Sequence, residues 1–573
     1  MEKTNILKRV LAAIVLLPVT IPSWCADGDT FTANTIEGVE MTFKFISESE
    51  KTCQVGDGGS AISIGRWGWI TIPSIANGYS VVSIGDQAFY DCSSMTGVDI
   101  PEGVTTIGDG AFFDCWSLTT IAIPSSVTSI GDGAFRYCSG LTSIAIPSGV
   151  SSIGEDAFYG CSGLTSIVVD SENTMYDSRG NCNAIIGTIS NELIVGCMNT
   201  KIPSSVKSIG SGAFAECRDL TSITIPGGVT TIGDYTFEGC SGLTSIAIPS
   251  SVTSIGERAF CGSGLTSITI PSSVTSIGGE AFYGCSDLTS ITISSNLTTI
   301  GSGAFDATGP TSITISEGVT SIVAGAFGGC TGLTSITNPS SVTSIGPQAF
   351  YGCSSLKSIT IPEGVTSIEG ETFTGCYNLA SITIPSSVEK IEFHSFDECY
   401  SLSSIVIDEG NTVYYSSWGE NCNAIIDKDY NTLLLGCKNT IIPPIVRSIG
   451  SGAFRYSIGL RSITIPSSVQ SIGSNAFGYP ISVVMKSNIP PSGSWGSFTG
   501  ESNVTLYVPA GCKAAYEEYY RGDMEIVEMP IPLDENSTTA PVALNDVDVA
   551  VLRTISANEW NTICLPFAMS EAQ

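Results

Sequence analysis

Histidine is almost missing from this chain: one of 573 residues, His394, is a histidine. That nearly removes Ser-His-Asp and Cys-His catalysis, and any His-based metal cage. Basic residues are scarce too, with 23 Lys and Arg against 54 Asp and Glu and a net charge of −31. Such a chain has no general basic field with which to hold nucleic-acid phosphates. No Cys-x-x-Cys pair of the kind found in structural zinc sites occurs, and no Gly-rich phosphate loop is present. Beyond the N-terminus no apolar run approaches the ~18 residues that a bilayer-spanning helix needs. Charged residues are only 13% of the chain, about half the usual share. Apolar residues reach 42%, which supplies a core and argues against disorder. What remains is a binding or structural protein, with no cofactor implied.

The N-terminus has the layout of an export signal. Lys3, Lys8 and Arg9 form a basic start and residues 10–17 a short apolar core, too short to span a bilayer. Cleavage is expected near Ala26, making residues 1–26 a signal peptide. Cys25 offers an alternative in which it is acylated as residue one of a lipoprotein, but Trp24 before it fits the small-residue requirement poorly. In either case the mature chain is exported, to the cell surface or beyond, with no transmembrane span.

A unit close to Leu-Thr-Ser-Ile-Thr-Ile-Pro-Ser-Ser-Val-Thr-Ser-Ile-Gly-Asp-Gly-Ala-Phe-Tyr-Gly-Cys-Ser-Gly recurs along most of the sequence. Its phenylalanine column starts at Phe89 and ends at Phe477, mostly at intervals of 23 residues, with two of 22 and two much longer. A fixed period of this size predicts a solenoid in which each coil touches only its neighbours. Within a coil, Ile268 and Ile270 alternate with Ser267 and Thr269, the pattern of a half-buried strand with its hydroxyl residues outward. Pro271 ends the strand, Val274 and Ile277 return to the core, and Gly278 permits a bend. Ala281 and Phe282 then pack the next corner.

The unit Leu-x-x-Ile-x-Ile-Pro-x-x-Val-x-x-Ile-Gly-x-x-Ala-Phe-x-x-Cys, complete over residues 265–285, resembles the leucine-rich repeats of BspA-type bacterial surface proteins. The resemblance covers roughly residues 80 to 480. It implies a β-rich leucine-rich-repeat solenoid, a right-handed curved array capped at both ends, on a cell surface. It also implies a role as an adhesin for host matrix or plasma proteins, or for other microbial surfaces.

The two long intervals, Phe158 to Phe214 and Phe396 to Phe454, share a block. Asn181-Cys182-Asn183-Ala184-Ile185-Ile186 matches Asn421-Cys422-Asn423-Ala424-Ile425-Ile426, and Gly196-Cys197 matches Gly436-Cys437. Two apolar runs around a polar turn at Ser190-Asn191 predict a β-hairpin, which either widens a coil or projects as a contact element. The expected organisation is a cap over 27–80 and repeats over 81–481, with hairpin insertions near 170–205 and 408–445. A second cap over 482–530, a linker over 531–546 and the start of a truncated β domain over 547–573 complete it. In the first cap, residues 41–45 alternate like a strand and Trp67 and Trp69 cover the first coil. In the second, residues 504–508 suggest a strand and 510–520 a short helix.

Of the 20 cysteines, most fall in one repeat column, which Thr308 and Ser457 occupy elsewhere. Small buried side chains filling a corner explain that better than obligatory bridges, although adjacent-coil disulfides stay open. Cys182 with Cys197, and Cys422 with Cys437, are candidate pairs because each flanks a hairpin turn. Asp86, Asp109, Asp132 and Asp234 share a turn column that is a weak calcium candidate. His394 is expected in a solvent-facing turn. The candidate binding face comprises the hydroxyl columns, with Ser267, Thr269, Ser290, Thr292, Ser358 and Thr360, and an aromatic column after each Phe, with Tyr159, Tyr283 and Tyr351. Stacked Ser and Thr also favour β structure on their own account. Three functions compete: a non-catalytic protein-binding adhesin, a structural spacer presenting a missing C-terminal domain, and an enzyme dependent on that domain.

Overall fold

The computed structural model describes residues 26–63, 68–293, 296–418, 420–479, 481–493, 498, 504–520, 524–529, 531–533 and 549–551. The export signal with Cys25, Trp67 and most of 531–573 lie outside the described residues. The chain divides into two compact units, Met1–Leu402 with Asp408–Thr412, and Ser403–Ile407 with Val413–Gln573. Both are β-solenoids.

Each coil has three sides that bond to its neighbours. The first is the predicted Ser-Ile-Thr strand, for example Ser267–Thr269, paired in parallel and in register with Ser290–Thr292. Its Ile268 is 3% exposed while the two flanking hydroxyl residues face water, the alternation a pleated strand enforces. The second side is a two-residue strand at Ser-Ile of the Ser-Ile-Gly step, which the sequence pattern alone suggested only as a return to the core. Ile84, Ile107, Ile130 and Ile153 stack there in register. The third is the Ala-Phe corner, where Phe89 N–H donates to Ala111 O at 2.7 Å and Phe112 N–H to Ala134 O at 2.7 Å. A side chain therefore lies above its own equivalent, one coil away.

That registry makes the core a set of like-on-like stacks. In the first unit Phe89, Phe112, Phe135 and Phe158 stack with ring centroids 5.1, 5.3 and 5.2 Å apart. A second run of nine rings extends from Phe214 to Phe396 at 5.1–5.8 Å. In the second unit Phe454, Phe477 and Phe498 continue the motif at 5.2 and 5.3 Å.

The insertion after Phe158 breaks the first ring stack. Tyr176–Asp177 and Ile185–Gly187 pair antiparallel, Ile185–Gly187 pairs antiparallel with Glu192–Val195, and the last strand then pairs in parallel with Ser208–Ile209. The hairpin is thus built into the ladder as an extra rung. Gly196 occupies the phenylalanine position of this rung, since its N–H donates to Ala213 O at 2.8 Å. A Cβ there would lie 2.2 Å from the Phe214 ring, so only glycine lets the ring close over the rung. Asn173 ties the insertion down, its amide donating to Pro147 O at 2.8 Å and Val150 O at 2.9 Å. Asn411, at the matching place in the second block, donates to Pro385 O and Val388 O at 2.9 Å.

At the N-terminal end, Thr30–Asn34, Glu40–Ser47 and Thr52–Val55 form an antiparallel meander that buries Met41, Phe43 and Phe45. Thr52–Val55 then starts the parallel ladder by pairing with Tyr79–Ile84. Trp69 lies over Gly97, which stands where the repeat has a hydroxyl residue and whose Cβ would fall 2.4 Å from the indole. In the second unit Ser482–Met485, Thr505–Val508 and Glu525–Glu528 form a parallel sheet with the helix Lys513–Tyr519. This is the single α-helix of the described residues. Ile531–Leu533, inside the stretch expected as a linker, is instead a strand paired with Val549–Val551.

The ring stack sets a stability prediction. Phe282→Ala, in the middle of the longer stack, should cost about 3–5 kcal/mol in denaturant unfolding followed by circular dichroism. An unchanged midpoint would show that the stack contributes little.

Candidate functional site

The proposed hydroxyl face exists as a surface. Ser267, Thr269, Ser290, Thr292, Ser358 and Thr360 are all exposed. Ser267 aligns with Ser290, Thr269 with Thr292, Ser358 with Ser381 and Thr360 with Thr383. Their hydroxyls make no hydrogen bond among the described residues. The neighbouring threonine columns behave differently. Thr119, Thr142 and Thr165 each donate to the carbonyl of the threonine one coil earlier, at 3.0, 3.2 and 3.1 Å. Thr128 and Thr253 do the same in the column after Val, at 3.1 and 3.2 Å. One set of hydroxyls therefore reinforces the ladder, and the set on the Ser-Ile-Thr strand is left to solvent.

The aromatic column is not continuous. Tyr283 and Tyr351 are 40% and 47% exposed, but Asp306 and Gly328 occupy the equivalent positions between them. Tyr159 departs from the expectation and is buried at 6% exposure. It neighbours the inserted rung, where its phenol donates to Glu238 and its ring packs toward Gly212 and lies under the Arg136 guanidinium, 4.4 Å away. Burial and the Glu238 bond both raise its pKa. Other exposed aromatics follow the cysteine column and were not singled out from the sequence. Trp116 is 55% and Tyr377 44% exposed, and Tyr377 stacks on Tyr400 at 5.3 Å. The position after cysteine is serine in six of the eleven column coils, and the 23-residue register that places Tyr377 beside Tyr400 is the sequence signal for this pair.

The cysteine column has a hydrogen-bonding explanation. Cys115, Cys138, Cys161 and Cys240 each donate S–H to the carbonyl of the phenylalanine one coil back, at 3.0–3.1 Å. Thr308 fills the same place, donating its hydroxyl to Phe305 O at 2.6 Å. The four candidate bridge cysteines are buried free thiols rather than two disulfides. The reason is local: the Cys197 thiol is directed at Asn183 O, 3.6 Å away, and Cys437 at Asn423 O, 3.5 Å away. Cys182 turns instead toward Ala184 O.

The acidic column is likewise a ladder. Oδ1 of Asp86 accepts from Asp109 N–H at 2.9 Å, Asp109 from Asp132 N–H at 2.9 Å, and Asp132 from Glu155 N–H at 2.8 Å. Asp234 accepts from Glu257 N–H at 2.7 Å. These backbone bonds explain the column without calcium, and the described residues hold no cluster of three metal-ligating side chains. His394 sits in an exposed turn at φ 63°, its Nδ1 2.6 Å from Asp397 Oδ2.

The family described as BspA type leucine rich repeat region matches in six copies over residues 67–183, 189–309, 298–426 and 430–494. The chain belongs to the BspA-type leucine-rich-repeat family. Among solved structures, this BspA-type chain is similar to a leucine-rich repeat protein from Bacteroides ovatus, at 26% identity over 87% of this chain and 99% of that one, with a TM-score of 0.41. It is also similar to a leucine rich cell surface protein from Faecalibacterium prausnitzii, at 29% identity over 68% and 96% with a TM-score of 0.39. No curated protein matches it. Among its described residues, no helix is long and apolar enough to cross a membrane.

Burial pushes the thiols of Cys92, Cys217 and Cys376 up to about 12, and those of Cys285 and Cys330 up to about 11. Thiolate is the reactive form. The native BspA-type chain at pH 8 should therefore leave these column thiols unmodified by a chromogenic disulfide reagent, with reaction appearing on denaturation. Because the folded values lie above the unfolded value of about 8.5, stability is complete below that pH and falls progressively as pH rises toward 12. Rapid modification of the column at pH 8 would contradict the burial.

Proposed function

We propose that this BspA-type chain is an exported surface protein that works as a non-catalytic adhesin, binding host matrix or plasma proteins or other microbial surfaces. The observation that carries the reading is the in-register Ser/Thr face, uncharged and free of internal hydrogen bonds. A rigid ladder holds these donors and acceptors in place, so a partner's polar groups meet them with little side-chain ordering cost. Leucine-rich-repeat proteins generally mediate protein interactions, which supports the same conclusion. The basic N-terminal start with its short apolar core supports export.

The test is binding of the chain to immobilised fibronectin, fibrinogen, laminin, collagen and whole bacterial cells. Saturable binding to one partner is expected. It should weaken about tenfold or more in a Thr292→Lys, Thr360→Lys double variant, since each ammonium would have to be desolvated at the contact. Tyr283→Ala with Tyr351→Ala should have a smaller effect, because the two rings stand on separate coils. Binding to no surface would favour a structural spacer.

A further inference from the structure

One flank of the first unit differs from the rest of the solenoid. Along the coils of Phe89, Phe112 and Phe135 runs a groove of about 560 Å³ edged by Asp86, Asp109, Asp132 and Glu155. We propose that this groove binds an extended polypeptide segment bearing lysine or arginine side chains. The inference rests on the protein-binding reading above and names a second surface, with the partner chemistry it selects.

Charge and shape both point to such a segment. The four acidic residues are exposed and come one per coil, so at a spacing of ~4.8 Å they span about 14 Å, the length of four or five extended residues. The three aspartates are held by one oxygen, each Oδ1 accepting a backbone N–H of the next coil, which fixes the carboxylate and leaves its other oxygen for a ligand. Beside them the Tyr90 and Phe113 rings stack at 5.1 Å, and Tyr90 is 44% exposed. Carboxylates next to an aromatic wall suit a cation on an aliphatic stem, through ion pairing and cation–π attraction together. The one basic residue of the groove, Arg136, does not neutralise the column. Its guanidinium is committed to Asp156 Oδ2 at 2.7 Å and lies over the rings of Tyr137 and Tyr159.

The groove ends in a depth created by the insertion. The inserted rung has Gly196 in the phenylalanine column and a shorter corner than a standard coil. A cavity of about 240 Å³ results, with Phe158 and Val195 at its floor and Glu155 and Glu192 at its rim. Phe135 N–H donates to Ala157 O at 2.7 Å, and it is Gly196 N–H, not Phe158 N–H, that donates to Ala213 O at 2.8 Å. An apolar floor and two rim glutamates match the stem and charged head of one Lys or Arg side chain, seated where the column stops.

The probe is a fluorescein-labelled peptide of sequence Lys-Val-Lys-Val-Lys, amidated at its C-terminus, titrated with the full chain by fluorescence anisotropy. Saturable binding that weakens with added salt is expected, together with none for the peptide carrying Gln in place of Lys. Asp109→Asn with Asp132→Asn keeps an amide oxygen to accept the same N–H bonds, so the fold stays intact while two charges go. Affinity should fall about fivefold. A control removing two exposed charges on other coils, Asp287→Asn with Glu389→Gln, should leave affinity within about 1.5-fold, because screened charges far from the groove contribute little. Equal losses in the two double variants would reveal attraction to overall charge and overturn the proposal, as would equal binding of the Gln peptide or no binding. Capture of a surface partner by a chain that ignores the lysine peptide would sink this inference and leave the adhesin reading standing. The reverse result would sink the adhesin reading alone.

Discussion

The backbone ladder between successive coils is the constraint on which the rest of this protein depends. Three times per coil, main-chain N–H groups find their acceptors one coil away, as Ile107 on Ile130, Ile268 on Ile291 and Phe89 N–H on Ala111 O illustrate. The ladder holds neighbouring backbones at ~4.8 Å, and that distance then selects the side chains. A flat ring fits above its copy at a centroid spacing slightly over 5 Å, which is why phenylalanine and no branched residue fills the corner. A thiol is small enough to reach the carbonyl one coil back; where a hydroxyl takes its place, Thr308 donates to Phe305 O of its own coil and Ser263 lies against the Cys285 thiol of the next at 3.3 Å. Most columns of the repeat are therefore answers to the same spacing.

This view separates columns that serve the ladder from columns that do not. The threonines before the Ser-Ile-Thr strand, the cysteines and the turn aspartates each bond to main chain one coil away. The serine and threonine of the strand itself, and the aromatics at Tyr283, Tyr351 and Tyr377, have no such duty and lie toward water. Residue type alone does not make the distinction, since threonine belongs to both groups. Position on the coil decides.

The fold was largely legible in the sequence because it is written about fifteen times over. The period, the Ile alternation of residues 267–270 and the family resemblance all lead to the observed solenoid, and the second short strand was the main omission. A two-residue strand has no alternation to read, and its pairing partner lies 22 or 23 residues away. The candidate site was less legible. Tyr159 has the sequence signature of Tyr283, yet it is buried because the next standard coil comes only after an inserted rung, with Glu238 as its distant partner. The cysteine pairs flanking the hairpins looked suited to bridging, but sequence symmetry carries no direction. The thiols of Cys182 and Cys197 turn to different carbonyls.

Where the register is unbroken, every coil presents nearly the same surface, so an extended partner could bind in several equivalent positions and no one coil is specified. A unique position needs a defect in the repetition. The Gly196 rung supplies one: it interrupts the ring stack and ends the acidic column at Glu155. Building the insertion into the ladder, instead of letting it hang as a loop, makes that defect rigid. A repeat protein can thus keep long uniform faces for avidity, while the place where the repeat fails fixes the register of whatever it binds.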